Sequence, residues 1–97
     1  MSGTAPDLDR VREVVRRHLP SRQYRVLLFG SRATGTARRI SDWDIGILGP
    51  EEVPGHVLQR IHGDLEELPT LHRFDVIDLR STSDSFQRNA LQGARPL

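Results

Sequence analysis

The run Val26-Leu27-Leu28-Phe29, entered through Tyr24-Arg25 and closed by Gly30, narrows the choice of folds more than any other stretch. Continuous apolar character over so few residues, ended by glycine, predicts a strand buried on both faces. It is the longest apolar run in the chain and falls far short of the roughly 20 residues a membrane helix needs. No basic leader with an apolar segment follows Met1, and there is no cysteine, so the chain reads as a cytoplasmic protein in a reducing compartment. Ninety-seven residues hold one core, so residues 1–97 are expected to form a single domain with a frayed end at 1–6.

Periodicity supplies the other elements. Leu8, Val11, Val14, Val15 and His18-Leu19 fall on one helical stripe, with Asp7 as N-cap and Pro20 as the stop. Residues 31–41 are polar and read as a short helical turn followed by a loop. In Asp42–Leu48 the residues Trp43, Ile45 and Ile47 alternate with Asp42, Asp44 and Gly46, giving a strand with one apolar face and one acidic, uncrowded face. A helix is expected over Glu51–Leu68, with Gly63 inside it and Pro69 closing it, then a strand over Arg73–Leu79. A last short helix opens in Ser81-Thr82-Ser83-Asp84-Ser85. The fold class is α/β (α+β): a small mixed or antiparallel sheet of three or more strands, with helices mainly on one face.

The chemistry is concentrated in Gly30-Ser31, ten further residues, and Asp42-Trp43-Asp44. Carboxylates at i and i+2 of a strand project from the same face. They repel each other and raise each other's pKa unless a cation lies between them, and magnesium suits such hard oxygen donors. The Gly-Ser turn complements them, because glycine admits a phosphate close to the backbone while the serine hydroxyl and free amides donate to it. Either half alone is ordinary turn or strand-edge chemistry. Joined at this distance by chance, they should occur in roughly one chain in a thousand.

With these residues in place, Gly30-Ser31-Arg32-Ala33-x-Gly35 and Ser41-Asp42-x-Asp44 resemble the signature of the minimal nucleotidyltransferases of the DNA polymerase β-like superfamily. The resemblance extends over most of the chain and implies the nucleotidyltransferase fold. One departure is Ile45-Gly46, where the family more often has leucine and a second bulky apolar residue; Gly46 is expected to loosen the packing beside the acidic face. The family's third carboxylate has two candidates here, Asp75 and Asp78. Strand parity sets Asp78 with Phe74 and Val76 on the core side and Asp75 on the other, and Asp75 also holds the position the family pattern favours. Asp75 is assigned the role, and Asp78 a supporting or capping one.

The resemblance implies two Mg2+ ions held by Asp42, Asp44 and Asp75, with ATP as substrate. Gly30, Ser31 and Arg32 would hold its phosphates, and the acceptor hydroxyl would attack the α-phosphate in line. Relatives that modify small molecules or RNA carry a further helical domain, and none is expected within these 97 residues. Stand-alone members resemble antitoxins that adenylylate a tyrosine of a helical HEPN toxin, so a HEPN partner and protein adenylyltransferase activity are the leading expectation. The alternatives are a non-catalytic binding subunit, or a small-molecule nucleotidyltransferase whose acceptor-binding subunit is a separate chain.

The remaining features are bland. All 14 basic residues are arginine, and the net charge of +1 gives no argument for nucleic-acid or membrane binding. An apolar fraction of 36% is low for a free-standing monomer and hints at a homo- or hetero-oligomer. His18, His56, His62 and His72 lack metal-site spacing and are expected on the surface or in helix packing. Arg38-Arg39 reads as a solvated loop pair, and Trp43 as core.

Overall fold

The computed structural model describes residues 7–30 and 42–97. Its elements are α1 (Leu8–His18), β1 (Arg25–Phe29), β2 (Trp43–Leu48), α2 (Gly55–Glu66), β3 (Phe74–Asp78), a 3₁₀ turn (Leu79–Ser81), α3 (Asp84–Leu91) and β4 (Arg95–Pro96). The strands form one mixed sheet in the order β3-β2-β1-β4. β1 runs antiparallel to both β2 and β4, while β2 and β3 are parallel, with α2 as their crossover. The expectations for residues 1–6 and for the turn and loop at 31–41 lie outside the described residues.

β1 is buried on both faces, as its apolar run requires. Val26 and Leu28 join Trp43, Ile45, Ile47 and Val76 against Val11, Val14 and Val15 of α1 and Ile61 and Leu65 of α2. On the other face, Leu27 and Phe29 pack with Leu79 and Ala90, under the 3₁₀ turn and α3. Ile45 and Ile47 are completely buried, each contributing about 1.5–3 kcal/mol from apolar burial. Helices thus lie mainly on one face, with a shorter cover opposite.

Local chemistry sets the element ends. Asp7 caps α1 by accepting the Arg10 amide at 3.2 Å, and Ser83 caps α3 by accepting the Phe86 amide at 3.2 Å. The helix expected over Glu51–Leu68 begins only at Gly55 and ends at Glu66. Prolines account for both differences: Pro54 disfavours helical geometry at Val53, and Pro69 does so at Leu68. Gly63 leaves α2 unbroken. β4 carries no strand signature of its own; backbone pairing with β1 and a 2.9 Å bond from the Leu97 amide to the Val26 carbonyl make it.

Two further expectations meet the structure differently. Asp78 is buried, accepting the Val53 amide at 2.7 Å and the Arg80 amide at 3.1 Å, so it caps the 3₁₀ turn and pins the chain entering α2. The expected loosening at Gly46 is overturned. A β-carbon there would lie 3.0 Å from Leu79 Cδ1 and 3.3 Å from Phe29 Cδ1, so the glycine admits close packing of the 3₁₀ turn on the sheet.

Asp78→Ala should lower unfolding free energy in urea by about 1–3 kcal/mol, because the buried Val53 amide and the part-buried Arg80 amide lose their acceptor. Asp78→Asn keeps an acceptor oxygen and should cost less.

Candidate active site

The sheet register brings the carboxylates together. Asp42 stands immediately before β2, and Asp44, two residues on, projects from the same side. In the parallel pairing Asp44 lies opposite Asp75, on strands about 4.8 Å apart. Asp42 and Asp75 are exposed and Asp44 is half-buried. Burial, then the charge of Asp75, then that of Asp42, raise the Asp44 carboxyl above its ordinary pKa of 3.8.

β1 provides the opposite flank. Phe29 pairs with Asp44, so Gly30 leaves the strand beside that carboxylate. Gly30 has φ +74°, and a side chain there would collide with the Asp44 carboxylate. Glycine is required for both reasons. The sequence across the site is therefore Gly30 just after β1, Asp42 just before β2 and Asp44 on it, and Asp75 on β3. Ser31 and Arg32 lie outside the described residues.

The donor set is all hard oxygen, which fits magnesium. Among the described residues no group of three or more His, Cys, Asp or Glu side chains stands close enough to hold a metal ion by itself. A magnesium ion here would take much of its shell from water and substrate phosphate, as it does where one or two carboxylates hold it. Such an arrangement can hold a divalent cation and a phosphate together and present a hydroxyl from the Asp75 side.

Beside Asp42 and Asp75 opens a cleft of about 620 Å³, walled by the C-terminal half of α2 and by the loop leading into β3. Sequence reasoning missed it. Its one signal there is Leu71, an apolar residue isolated in a polar loop, which the structure leaves fully exposed. The loop is held from beneath: the Trp43 indole donates to His72 Nδ1 at 3.2 Å, and the His72 amide donates to Thr70 Oγ1 at 3.1 Å. Trp43 is otherwise core, as expected. The other histidines also serve packing or stay exposed. His18 Nε2 donates to Asp64 at 2.6 Å, joining α1 to α2, while His62 donates to the Val76 carbonyl at 3.1 Å. His56 is exposed.

Comparison with known proteins agrees with this layout. The family model for polymerase β nucleotidyltransferases matches residues 21–97, and the chain belongs to that family. Within it, the architecture is that of the minimal domains. A minimal nucleotidyltransferase structure superposes with a TM-score of 0.64 at 27% identity, covering 97% of this chain and 99% of that one. A toxin–antitoxin crystal structure with AMP-PNP gives a TM-score of 0.75 at 22% identity, covering 94% of this chain and 72% of the other. A complex of tri-AMPylated Shewanella oneidensis HEPN toxin with its MNT antitoxin gives 0.58 at 18% identity, covering 91% and 66%. No curated protein matches the sequence. No helix among the described residues is long and apolar enough to cross a membrane.

The raised Asp44 pKa couples stability to pH. Between pH 3.8 and that raised value the folded state keeps a proton the unfolded state has lost, so stability falls as pH rises through the window. In EDTA, Asp44→Asn should therefore melt above the wild type at neutral pH, and the gap should close as pH falls toward 3.8. Thermal melts across a pH series measure it.

Proposed function

We propose that this chain is a magnesium-dependent protein adenylyltransferase that transfers AMP from ATP to a tyrosine hydroxyl of a HEPN-type partner, acting as its antitoxin. The observation that carries the reading is the placement of Gly30 and Asp75 on opposite flanks of Asp44. In-line transfer needs the attacking and leaving oxygens on opposite sides of the α-phosphorus, and these flanks supply one position for each. The similarity to a toxin–antitoxin structure with AMP-PNP, and to an MNT antitoxin in complex with an AMPylated HEPN toxin, supports the choice of nucleotide and partner.

Asp42, Asp44 and Asp75 would hold magnesium, which when bound neutralises phosphate charge and acidifies the attacking hydroxyl. Gly30, free of a side chain, lets the triphosphate approach the backbone, with the Ser31 hydroxyl and the Arg32 guanidinium as further donors. Asp44, between the two flanks, would act through the ion it holds rather than by touching the phosphate, since two anions repel. Asp75 faces the acceptor and is placed to receive its proton. The nucleophilic oxygen forms the new bond to phosphorus, and pyrophosphate leaves toward Gly30. With Gly46 tightly packed, the departure from the family pattern at that position gives no ground for a contact-only antitoxin.

Incubation of the purified partner with this chain and ATP should add AMP to a tyrosine, read by mass spectrometry. The addition should require magnesium, and Asp42→Ala should lower its rate by about 10²-fold or more. Titration calorimetry should show magnesium-dependent ATP binding that the same substitution weakens. An Asp44→Ala protein that still neutralises the partner in full would leave contact alone as the mechanism.

A further inference from the structure

We propose that Phe86, on α3, is the platform on which the base of the nucleotide stacks, and that its ring favours purine over pyrimidine triphosphates. The proposal rests on the adenylyl-transfer reading for the direction in which the nucleotide lies, and adds how its base is held.

The direction follows from the geometry at phosphorus. In-line transfer sets the attacking oxygen toward Asp75 and the leaving pyrophosphate toward Gly30, so these two occupy an axis that crosses the strands. The ribose oxygen is an equatorial substituent of the α-phosphorus and leaves at right angles to that axis. Along β2, that course leads from Asp44 toward Gly46, on the sheet face opposite α1 and α2. A base carried this way passes the Phe29 ring, which belongs to the residue paired with Asp44 and lies against Gly46. Phe86 stands on that ring, with centroids 6.3 Å apart and planes at 82°.

The ring is open on one side and held on the other. Of the three phenylalanines, Phe29 is buried, Phe74 half-buried and Phe86 41% exposed. Perpendicular contact leaves at least one face of Phe86 uncovered by Phe29. Such a face is what a base stacks on, whatever its identity. The backbone beneath is already ordered: the Ser83 cap accepts the Phe86 amide itself, and Ala90, one turn on, is buried against Leu27 and Phe29. Gly46 contributes from below, because its lack of a side chain lets Leu79 and Phe29 close over β2 and brings the start of α3 down onto the sheet. A ring fixed in advance loses little freedom when a base arrives. Two fused rings overlap it more fully than one, which is the source of the purine preference.

The test is titration calorimetry of the full chain in magnesium, comparing the wild type with Phe86→Leu and Phe86→Trp. Leucine keeps apolar bulk on Phe29 but removes the aromatic face, and thermal melts verify that both variants fold. The probes are ATP, CTP and inorganic tripolyphosphate, which carries the phosphates without a base. Phe86→Leu should weaken ATP binding about tenfold, while Phe86→Trp holds it within about twofold and tripolyphosphate binds all three proteins alike. The wild type should prefer ATP to CTP, and the preference should shrink in Phe86→Leu. Unchanged ATP affinity in Phe86→Leu would overturn the proposal, as would equal binding of ATP and CTP by the wild type. Equal losses for ATP and tripolyphosphate would make Phe86 a support of the phosphate site and also overturn it. A wild type that binds ATP through Phe86 yet transfers nothing to its purified partner would remove the transfer reading alone. One that binds no ATP would remove both.

Discussion

Asp44 can stand beside Asp75 only while β2 keeps its register between β1 and β3. Side chains on a strand alternate, so a slip of one residue would send Asp44 into the helix-covered core and turn Ile45 outward. The complete burial of Ile45 and Ile47 against α1 and α2 makes that slip prohibitive. The carboxylates are thus placed by the apolar residues between them. Every other feature of the site, from the Gly30 contact to the position of the cleft mouth, is measured from that fixed strand.

Half-burying Asp44 beside the charges of Asp75 and Asp42 works against the fold, and the structure has bonds away from the site that brace it. Asp78, on the same strand as Asp75 but turned inward, secures the chain entering α2 through the Val53 amide. Arg80 secures the end of β2 by donating to the Gly49 carbonyl at 2.6 Å. His18 and Asp64 join the two helices that cover the apolar face. One strand therefore contributes both the charge that strains the site and the carboxylate that braces the scaffold, distinguished only by the face each occupies.

Much of this was legible in the sequence because it depends on parity and local spacing. The doubly buried β1, the acidic face of β2, and the opposite faces taken by Asp75 and Asp78 follow from alternation, while the role given to Asp75 rests on the family resemblance as well. The features that were not legible are made by partners distant in the chain. Gly46 looked like open space because Leu79, which crowds it, arrives from the 3₁₀ turn. β4 was missed because Arg95-Pro96 has no strand propensity and pairs through backbone groups. The cleft was missed because its shape depends on Trp43 holding His72, a contact across 29 residues. Ser31 and Arg32, read from the motif, lie outside the described residues.

The short β4 and the histidine on Val76 have a bearing on how this protein behaves at high concentration. Outermost strands present unpaired backbone groups on which further chains can assemble into aggregates. At one border the last strand is two residues long and includes Pro96, which has no amide hydrogen to offer a newcomer. At the other, His62 occupies the Val76 carbonyl, and α2 lies alongside. A four-stranded sheet in so small a molecule would otherwise be a ready template for fibril growth. Among the described residues both borders are blunted against the addition of a further strand.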